Sequence, residues 1–178
     1  MAEPLSNIIA DDCDAGIRLG RSLADHVVAV PLTPALSMAV VGTPAYFKRY
    51  GMPKTPGDLV HHNCISYRYS GSGAVHDWDF NEPGKHGQHF TQAVTGNLVT
   101  NDDEGMPRAA LLDLGLIQNI DIAIHPYLAD GRLIRVLREW THTQAGFYLY
   151  TPTREQMPSK VRALLDLLVE KRKTIVLV

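Results

Sequence analysis

The chain has 178 residues, of which 45% are hydrophobic, and this length and composition are those of a globular protein that buries a core. Its 17 basic and 19 acidic side chains give a formal charge of −2, which excludes the strongly basic surface that binds a nucleic-acid backbone. Two cysteines, no signal-peptide pattern and no apolar run near the roughly 20 residues of a membrane span indicate a cytoplasmic protein without a membrane partner.

The first third of the chain alternates short apolar runs with a helical pattern, which is typical of an α/β sheet with crossover helices. Strands are predicted over residues 15–20, 26–32 and 36–42. Thr43 can cap a helix, Pro44 fits its first position and Gly51 can end it in the left-handed conformation, so a short helix is predicted over 44–50. Asp58 is then expected to cap one further turn, and a strand is predicted over 63–69.

The middle of the chain begins with a polar stretch that holds a Trp78-x-Phe80 pair, so a loop around one short strand is predicted. A strand over 94–102 and a helix that Gly115 closes are expected next. Because Pro107 belongs in the first turn of that helix, we favour Asp103 over Asn101 as its cap. Asn101 and Asp102 would then lie on the connecting turn, with side chains free to meet a ligand.

Three more strands, a short helix and a final helix complete the prediction. The strands are expected over 115–120, 132–137 and 146–152, and the short helix over 122–131. The last helix starts near Pro158 and repeats apolar residues at i, i+3, i+4 and i+7, which predicts one face packed on a sheet. That face comprises Val161, Leu164, Leu165 and Leu168.

A metal site is suggested by His61, His62 and Cys64, but zinc sites need a second pair of ligands at a repeatable spacing. Nothing in the sequence joins His86 or His89 to that group. We therefore interpret the histidines as loop residues and Cys64 as a small buried apolar residue. The stretch "SGSGAV" opens no helix, "NDDE" is explained by a helix N-terminus, and no nucleotide-binding or zincin motif occurs. We therefore expect no enzyme, no metal and no cofactor.

The order of motifs resembles the effector-binding domain of LysR-type transcriptional regulators. The segments that carry the resemblance are "CDAGIRLG", "GTPAYFKRYGMPKTPGDLVHHNCISYR", "WDF", "TGNLVTNDDEGMPRAALLDLGLI", "DGRLIRVLREW" and "FYLYTPTREQMPSKVRALLDLL". The resemblance implies an α/β fold of two lobes of the periplasmic-binding-protein type, joined by two crossover strands. Residues 1–32 would hold the remainder of an incomplete first lobe, 33–145 the second lobe, and 146–178 the return crossover and the final helix.

The resemblance also implies a small effector in the cleft between the lobes, where residues just past strand ends would contact it. A guanidinium fork matches a carboxylate, so Arg18 and Arg68 could receive a carboxylate effector or could instead form structural ion pairs. A small carboxylate or an aromatic molecule is the expected ligand. The candidate effector-binding residues are Arg18, Gly20, Arg21, Ser66, Tyr67, Arg68, Thr100, Asn101, Asp102, Gln118 and Asn119.

Compared with the family, the elements expected before Asp14 are missing from this sequence. The resemblance therefore implies DNA binding only through a helix-turn-helix domain that this chain does not contain. A shortened first lobe would leave apolar surface near 158–170 without partners, so a homo-oligomer, either a dimer or a tetramer, is expected. The alternative function is a solute-binding protein or a small-molecule enzyme with the same two-lobed fold.

Overall fold

The structure is a computed structural model that describes residues 13–20, 27–84, 87–152 and 157–172. Its described residues divide into two compact units. Unit 1 comprises residues up to Leu36 and those from Gln144 onward, and unit 2 comprises Ser37–Thr143. In this part of the chain no helix has the length and apolar character that crossing a membrane requires.

The strands and helices follow one another along the chain in an order that agrees with the expected α/β pattern. Two further segments, Pro56–His61 and Arg138–Trp140, form 3-10 helices. The elements are β1 (Gly16–Leu19), β2 (Val27–Pro31), β3 (Leu36–Gly42), α1 (Pro44–Tyr50), β4 (Ser66–Tyr67), β5 (Trp78–Asn81), β6 (His89–Gln92), β7 (Val99–Thr100), α2 (Gly105–Leu111), β8 (Ile117–Ile120), α3 (Asp121–Ala129), β9 (Ile134–Val136), β10 (Thr143–Gln144), β11 (Phe147–Pro152) and α4 (Ser159–Lys171).

Unit 1 contains an antiparallel sheet in the order β1-β11-β2, together with helix α4. The central strand β11 buries Leu149 and Tyr150, and the Tyr150 hydroxyl donates to the carbonyl of Gly20 at 2.7 Å. On α4, Val161 is buried, whereas Leu164 is 43% exposed. The buried face of this helix is therefore rotated from the predicted one, with Leu165 and Leu168 half-buried and Leu164 at its margin.

The sheet of unit 2 is built around β3, which pairs antiparallel with β8 on one side and antiparallel with β9 on the other, where β10 is also its neighbour. A parallel bridge joins Cys64 to Leu116, and β4 pairs parallel with β7. Strands β8, β4 and β7 therefore run in the same direction, side by side. The chain enters unit 2 along β3 and leaves it along β10, and the amide of Met38 donates to the carbonyl of His142 at 2.9 Å beside this pairing.

Helix α1 has the predicted bounds because its capping signals act as expected. The Thr43 hydroxyl accepts the amide N–H of Tyr46 at 3.0 Å, and Pro44 occupies the first helical position. Gly51 ends the helix with φ +80°, a conformation that a residue with a β-carbon rarely adopts. The helix buries Tyr46 and Phe47 in the core of unit 2.

Several predicted boundaries were wrong. The 3-10 helix begins after Thr55, and Asp58 lies inside it, where its carboxylate accepts the amide N–H groups of Lys54 and Thr55. Helix α2 begins after Glu104 rather than Asp103 and ends at Leu111, well before Gly115. The strands predicted over 63–69 and 94–102 shorten to the two-residue strands β4 and β7.

Two apolar clusters cover the two faces of the unit 2 sheet, since neighbouring residues of one strand point to opposite faces. The first includes Val40, together with Trp78 and Phe80 of the β5–β6 hairpin. The second includes Val41 and the buried side of α2 and α3. Strand β6 of that hairpin was not predicted. The hairpin thus lies on one face together with α1, and α2 and α3 lie on the other.

Candidate functional site

The parallel strands β4, β7 and β8 end at one edge of the unit 2 sheet, which we call the carboxyl edge. The pairings Ser66 with Val99 and Tyr67 with Thr100 set this register, and the amide of Arg68 donates to the carbonyl of Thr100 at 2.8 Å. The structure therefore brings the predicted residues of unit 2 together along one edge. They are Ser66, Tyr67, Arg68, Thr100, Asn101, Asp102, Gln118 and Asn119.

The three predicted residues near the chain start belong elsewhere. Arg18 lies on β1, and Gly20 follows this strand with φ +80° and its amide bonded to the carbonyl of Gly146 at 2.9 Å. Both residues are part of unit 1. Arg21 lies outside the described residues.

The loop after β7 holds its own side chains in place. The Thr100 hydroxyl accepts the amide N–H of Asp102 at 3.0 Å, and the Asp102 carboxylate accepts that of Glu104, also at 3.0 Å. Asp102 therefore orders the turn that leads into α2, and one of its carboxylate oxygens is engaged in this hydrogen bond. Asn101 is exposed on the same turn, where its amide is accessible to a ligand.

Gln118 is a structural residue in this fold. Its side chain is buried, and it both accepts from the amide of Asp79 at 2.9 Å and donates to the carbonyl of Asp79 at 2.8 Å. These two bonds tie β8 to the β5–β6 hairpin. Asn119, the next residue, points to the opposite face and remains at the carboxyl edge, with its side-chain oxygen accepting from the amide of Ile120 at 2.7 Å.

The guanidinium of Arg68 turns back onto its own loop. Its Nη1 donates to the carbonyl of Gly73 at 2.8 Å, and so it closes the turn that follows β4. Next to it, the ring of Tyr67 packs edge-to-face on Tyr69, with centroids 5.6 Å apart. The edge after β4 is therefore aromatic, and the cation that could receive a carboxylate is partly engaged.

Arg135 is a polar residue of the sheet that the sequence analysis did not single out. Its Nη2 donates to the Thr141 hydroxyl at 2.9 Å, while burial lowers the pKa of the guanidinium and the nearby Asp121 carboxylate raises it. The sequence signal was an arginine between two apolar residues of a short strand, where alternation should place an exposed side chain.

The residues that were weighed and rejected as metal ligands have ordinary protein partners. His62 is buried, with Nδ1 3.4 Å from the Tyr46 hydroxyl, and burial lowers the pKa of its imidazole. Cys64 is fully buried, and burial raises the pKa of its thiol to about 12, so it is not a reactive nucleophile. Within the described ranges, no three His, Cys, Asp or Glu side chains are grouped so that they could hold a metal ion.

An α/β sheet whose parallel strands end together beside polar and aromatic side chains defines a class of protein, the small-molecule-binding α/β domains. Comparison with known families gives the particular member of this class. A model of the family described as LysR substrate binding domain matches residues 1–173. The chain belongs to this family, and the α/β, periplasmic-binding-protein-like fold expected from the sequence is confirmed.

Two relatives of known sequence are named as transcriptional regulators. The chain is 34% identical over 164 residues to the HTH-type transcriptional regulator YcaN of Escherichia coli, which corresponds to 92% of this chain and 52% of that protein. It is 28% identical over 167 residues to the HTH-type transcriptional regulator PgrR of the same organism, with 94% and 55% covered. The chain thus spans about half the length of the curated relatives that it matches.

Solved structures show the same fold. The regulatory domain of AphB from Vibrio vulnificus has a TM-score of 0.75 at 22% identity, with 90% of this chain and 76% of that chain covered. The regulatory domain of CrgA from Neisseria meningitidis has a TM-score of 0.76 at 22% identity, with 96% and 80% covered.

Proposed function

We propose that this chain is the effector-sensing and oligomerisation part of a LysR-type transcriptional regulator, and that the carboxyl edge of unit 2 contributes to its effector site. The family match supports the sensing role, since it describes a substrate-binding domain. The observation that carries the site is the common end of β4, β7 and β8. In open α/β sheets this is where ligands contact polar side chains and backbone groups.

The effector that fits this edge is small and has an aromatic or apolar part with neutral hydrogen-bonding groups. Tyr67 offers a ring, while Asn101 and Asn119 offer amides that both donate and accept. A carboxylate is the second choice, because Arg68 already donates to Gly73. A thermal-shift screen with small aromatic molecules and small carboxylates separates these two classes.

We expect at least one compound of such a panel to raise the melting temperature, because a ligand at about 100 times its dissociation constant stabilises the folded state by about 2.7 kcal/mol. Asn101→Ala should weaken the binding of that compound about tenfold, since a lost amide hydrogen bond is worth roughly 0.5–1.5 kcal/mol. Isothermal titration calorimetry measures the change.

The matched control for Asn101 is Lys48→Ala. Lys48 is exposed on α1, which follows the carboxyl end of the antiparallel strand β3 and therefore lies at the opposite edge of the sheet. Its removal should leave the affinity unchanged. An unchanged affinity for Asn101→Ala would remove this residue from the site, and a panel without any thermal shift would argue against sensing by this chain.

We propose that DNA is reached through a helix-turn-helix domain outside this chain. The relatives carry that domain in their names, and this chain spans about half their length. The formal charge of −2 agrees with a part of the protein that does not itself contact the phosphate backbone.

Unit 1 is the proposed oligomerisation surface, since Leu164 and Leu167 of α4 are 43% and 51% exposed and Ile17 of β1 is 53% exposed. We expect a homodimer or a tetramer in light scattering behind a sizing column, because apolar side chains exposed in this way favour association. Leu164→Asp should lower the oligomeric mass with little change in the melting temperature. A monomer at high protein concentration, or an unchanged mass for Leu164→Asp, would contradict the proposed surface.

A further inference from the structure

Three histidines and one aspartate gather around the β5–β6 hairpin of unit 2. His76 precedes β5 and its Nε2 lies 3.3 Å from Asp79 Oδ2, while Nε2 of His89 on β6 lies 2.9 Å from Asp79 Oδ1. The ring of His142 packs on that of His89, with centroids 4.5 Å apart and the planes tilted by 51°. We call these four residues the histidine cluster.

The hydrogen bonds of the cluster suit neutral imidazoles. The Asp79 carboxylate only accepts, so both Nε2 atoms that face it donate. In the neutral ring of His76 the other nitrogen, Nδ1, is then an acceptor, and the Tyr69 hydroxyl lies 2.8 Å from it. Every member of this chain of bonds is therefore satisfied without a charge on His76.

His142 connects the hairpin to the strand segment beside β3. Its Nδ1 lies 3.0 Å from the side-chain oxygen of Asn81, which is the last residue of β5. The residues just before these two, Phe80 and Thr141, form a β-bridge. The backbone carbonyl of His142 in turn accepts the amide of Met38 on β3. The contact between hairpin and sheet at this point runs through the histidine cluster.

The charges around the cluster cannot balance three protonated imidazoles. Among the described residues, the acidic groups that face it are Asp79 and, near His76, Asp77, and the Tyr69 hydroxyl contacts His76. The Arg135 guanidinium, which donates to Thr141 next to His142, adds a further positive charge nearby. Burial lowers the pKa of His76, and burial together with the neighbouring His89 ring lowers the pKa of His142. The side chain of His89 is 47% exposed, and its Nε2 lies 2.9 Å from the Asp79 carboxylate.

We propose that the histidine cluster is a pH-responsive contact, in which positive charge on the packed rings of His89 and His142 separates the β5–β6 hairpin from the strand segment 141–144. Two cations at this ring distance repel each other, and one carboxylate is too little to offset both charges. The packed arrangement therefore favours a neutral His142, persists above the ordinary pKa of histidine and weakens as the pH falls below it.

Gln118 connects the separation of the hairpin to the carboxyl edge. This side chain holds both backbone groups of Asp79, and the residue after it, Asn119, is at the edge. Loosening the hairpin releases a constraint on β8, so the position of Asn119 becomes pH-dependent. The proposal concerns the chain without a ligand, and it stands or fails independently of any effector.

Amide hydrogen exchange followed by NMR on the full chain tests the proposal. After correction for intrinsic exchange, the protection of the β6 amides and of residues 141–144 should fall about tenfold between about pH 7.5 and pH 5.5, while the amides of α2, on the other face of the sheet, keep theirs. His142→Gln, which retains a donor for Asn81 but cannot be protonated, should abolish this fall. His89→Gln should raise the pH at which His142 loses its proton, as read from its Cε1–H resonance.

His61→Gln is the matched control, because His61 is an exposed histidine outside the cluster. It should keep the fall in hairpin protection. Should His142→Gln not fold, His89→Gln carries the test alone, since the His89 side chain is about half exposed and its replacement removes one of the two charges. Hairpin protection that does not vary with pH in the wild type, or a fall that persists in both cluster variants, would overturn the proposal.

Discussion

Gly115→Ala is expected to destabilise unit 2 by roughly 3 kcal/mol or more, which corresponds to a loss of at least about 12 °C in melting temperature for a unit of this size. A β-carbon at Gly115 would clash with the carbonyl oxygen of Asn63. That same oxygen accepts the amide of Leu116 at 2.9 Å, next to the parallel bridge between Cys64 and Leu116. Relief of the clash therefore requires the two parallel strands to separate.

Gly57→Ala is the control, since its β-carbon would meet only the Thr55 hydroxyl at 3.6 Å, an ordinary contact. Differential scanning calorimetry of both variants measures the difference. A Gly115→Ala protein that melts like the wild type would mean that β8 and the segment before β4 are not held as closely as the structure has them.

Trp78→Ala is expected to cost about 3–5 kcal/mol of the free energy of unfolding. Trp78 is 1% exposed and is the largest of the fully buried side chains, and it packs the β5–β6 hairpin into the cluster that includes Val40 and Leu116. Its removal leaves a cavity under the hairpin that the sheet cannot fill. Urea denaturation followed by circular dichroism gives the value.

Leu112→Ala provides the comparison for Trp78, because Leu112 is 72% exposed. A truncation at such a position should change the stability by no more than about 0.5 kcal/mol. Similar losses for the two variants would show that the hairpin is not part of the cooperative core of unit 2.

The best predicted part of the fold is the passage from β3 into α1. Both elements have their predicted bounds, because the information there is local: an apolar strand, then Thr43, Pro44 and Gly51 at the positions that capping requires. The strands predicted from apolar and β-branched content alone, around 63–69 and 94–102, were too long, since regular pairing extends over only two residues in each.

The β6 strand was missed because nothing local marks it. Its sequence, HFTQ, has a single apolar residue, Phe90, which pairs with Phe80 across the hairpin. A polar strand of this kind depends on its partner strand and on the face it covers, and neither is visible before the fold is known. The histidine cluster was missed for the same reason, as its members come from three separate segments.

The sequence predicted which strand ends form the candidate site. It did not predict which of their side chains make structural hydrogen bonds and which are accessible to a ligand. Alternation and turn residues placed Tyr67, Thr100 and Asn119 at the ends of strands, and the parallel order brings them to one edge. The side chain of Gln118 hydrogen-bonds to the backbone of Asp79, 39 residues earlier in the chain. This contact follows from the position of the hairpin on the sheet. Periodicity carries no signal for such a contact.

The pairing of β3 with β10 gives unit 2 the topology of an insertion. Its first and last strands are hydrogen-bonded neighbours, so the segment from Ser37 to Thr143 begins and ends about one strand spacing apart, near 4.8 Å. A segment with adjacent ends can be spliced into a surface loop of another protein without stretching its host. The ends of unit 2 therefore meet the geometric requirement for insertion into a host protein.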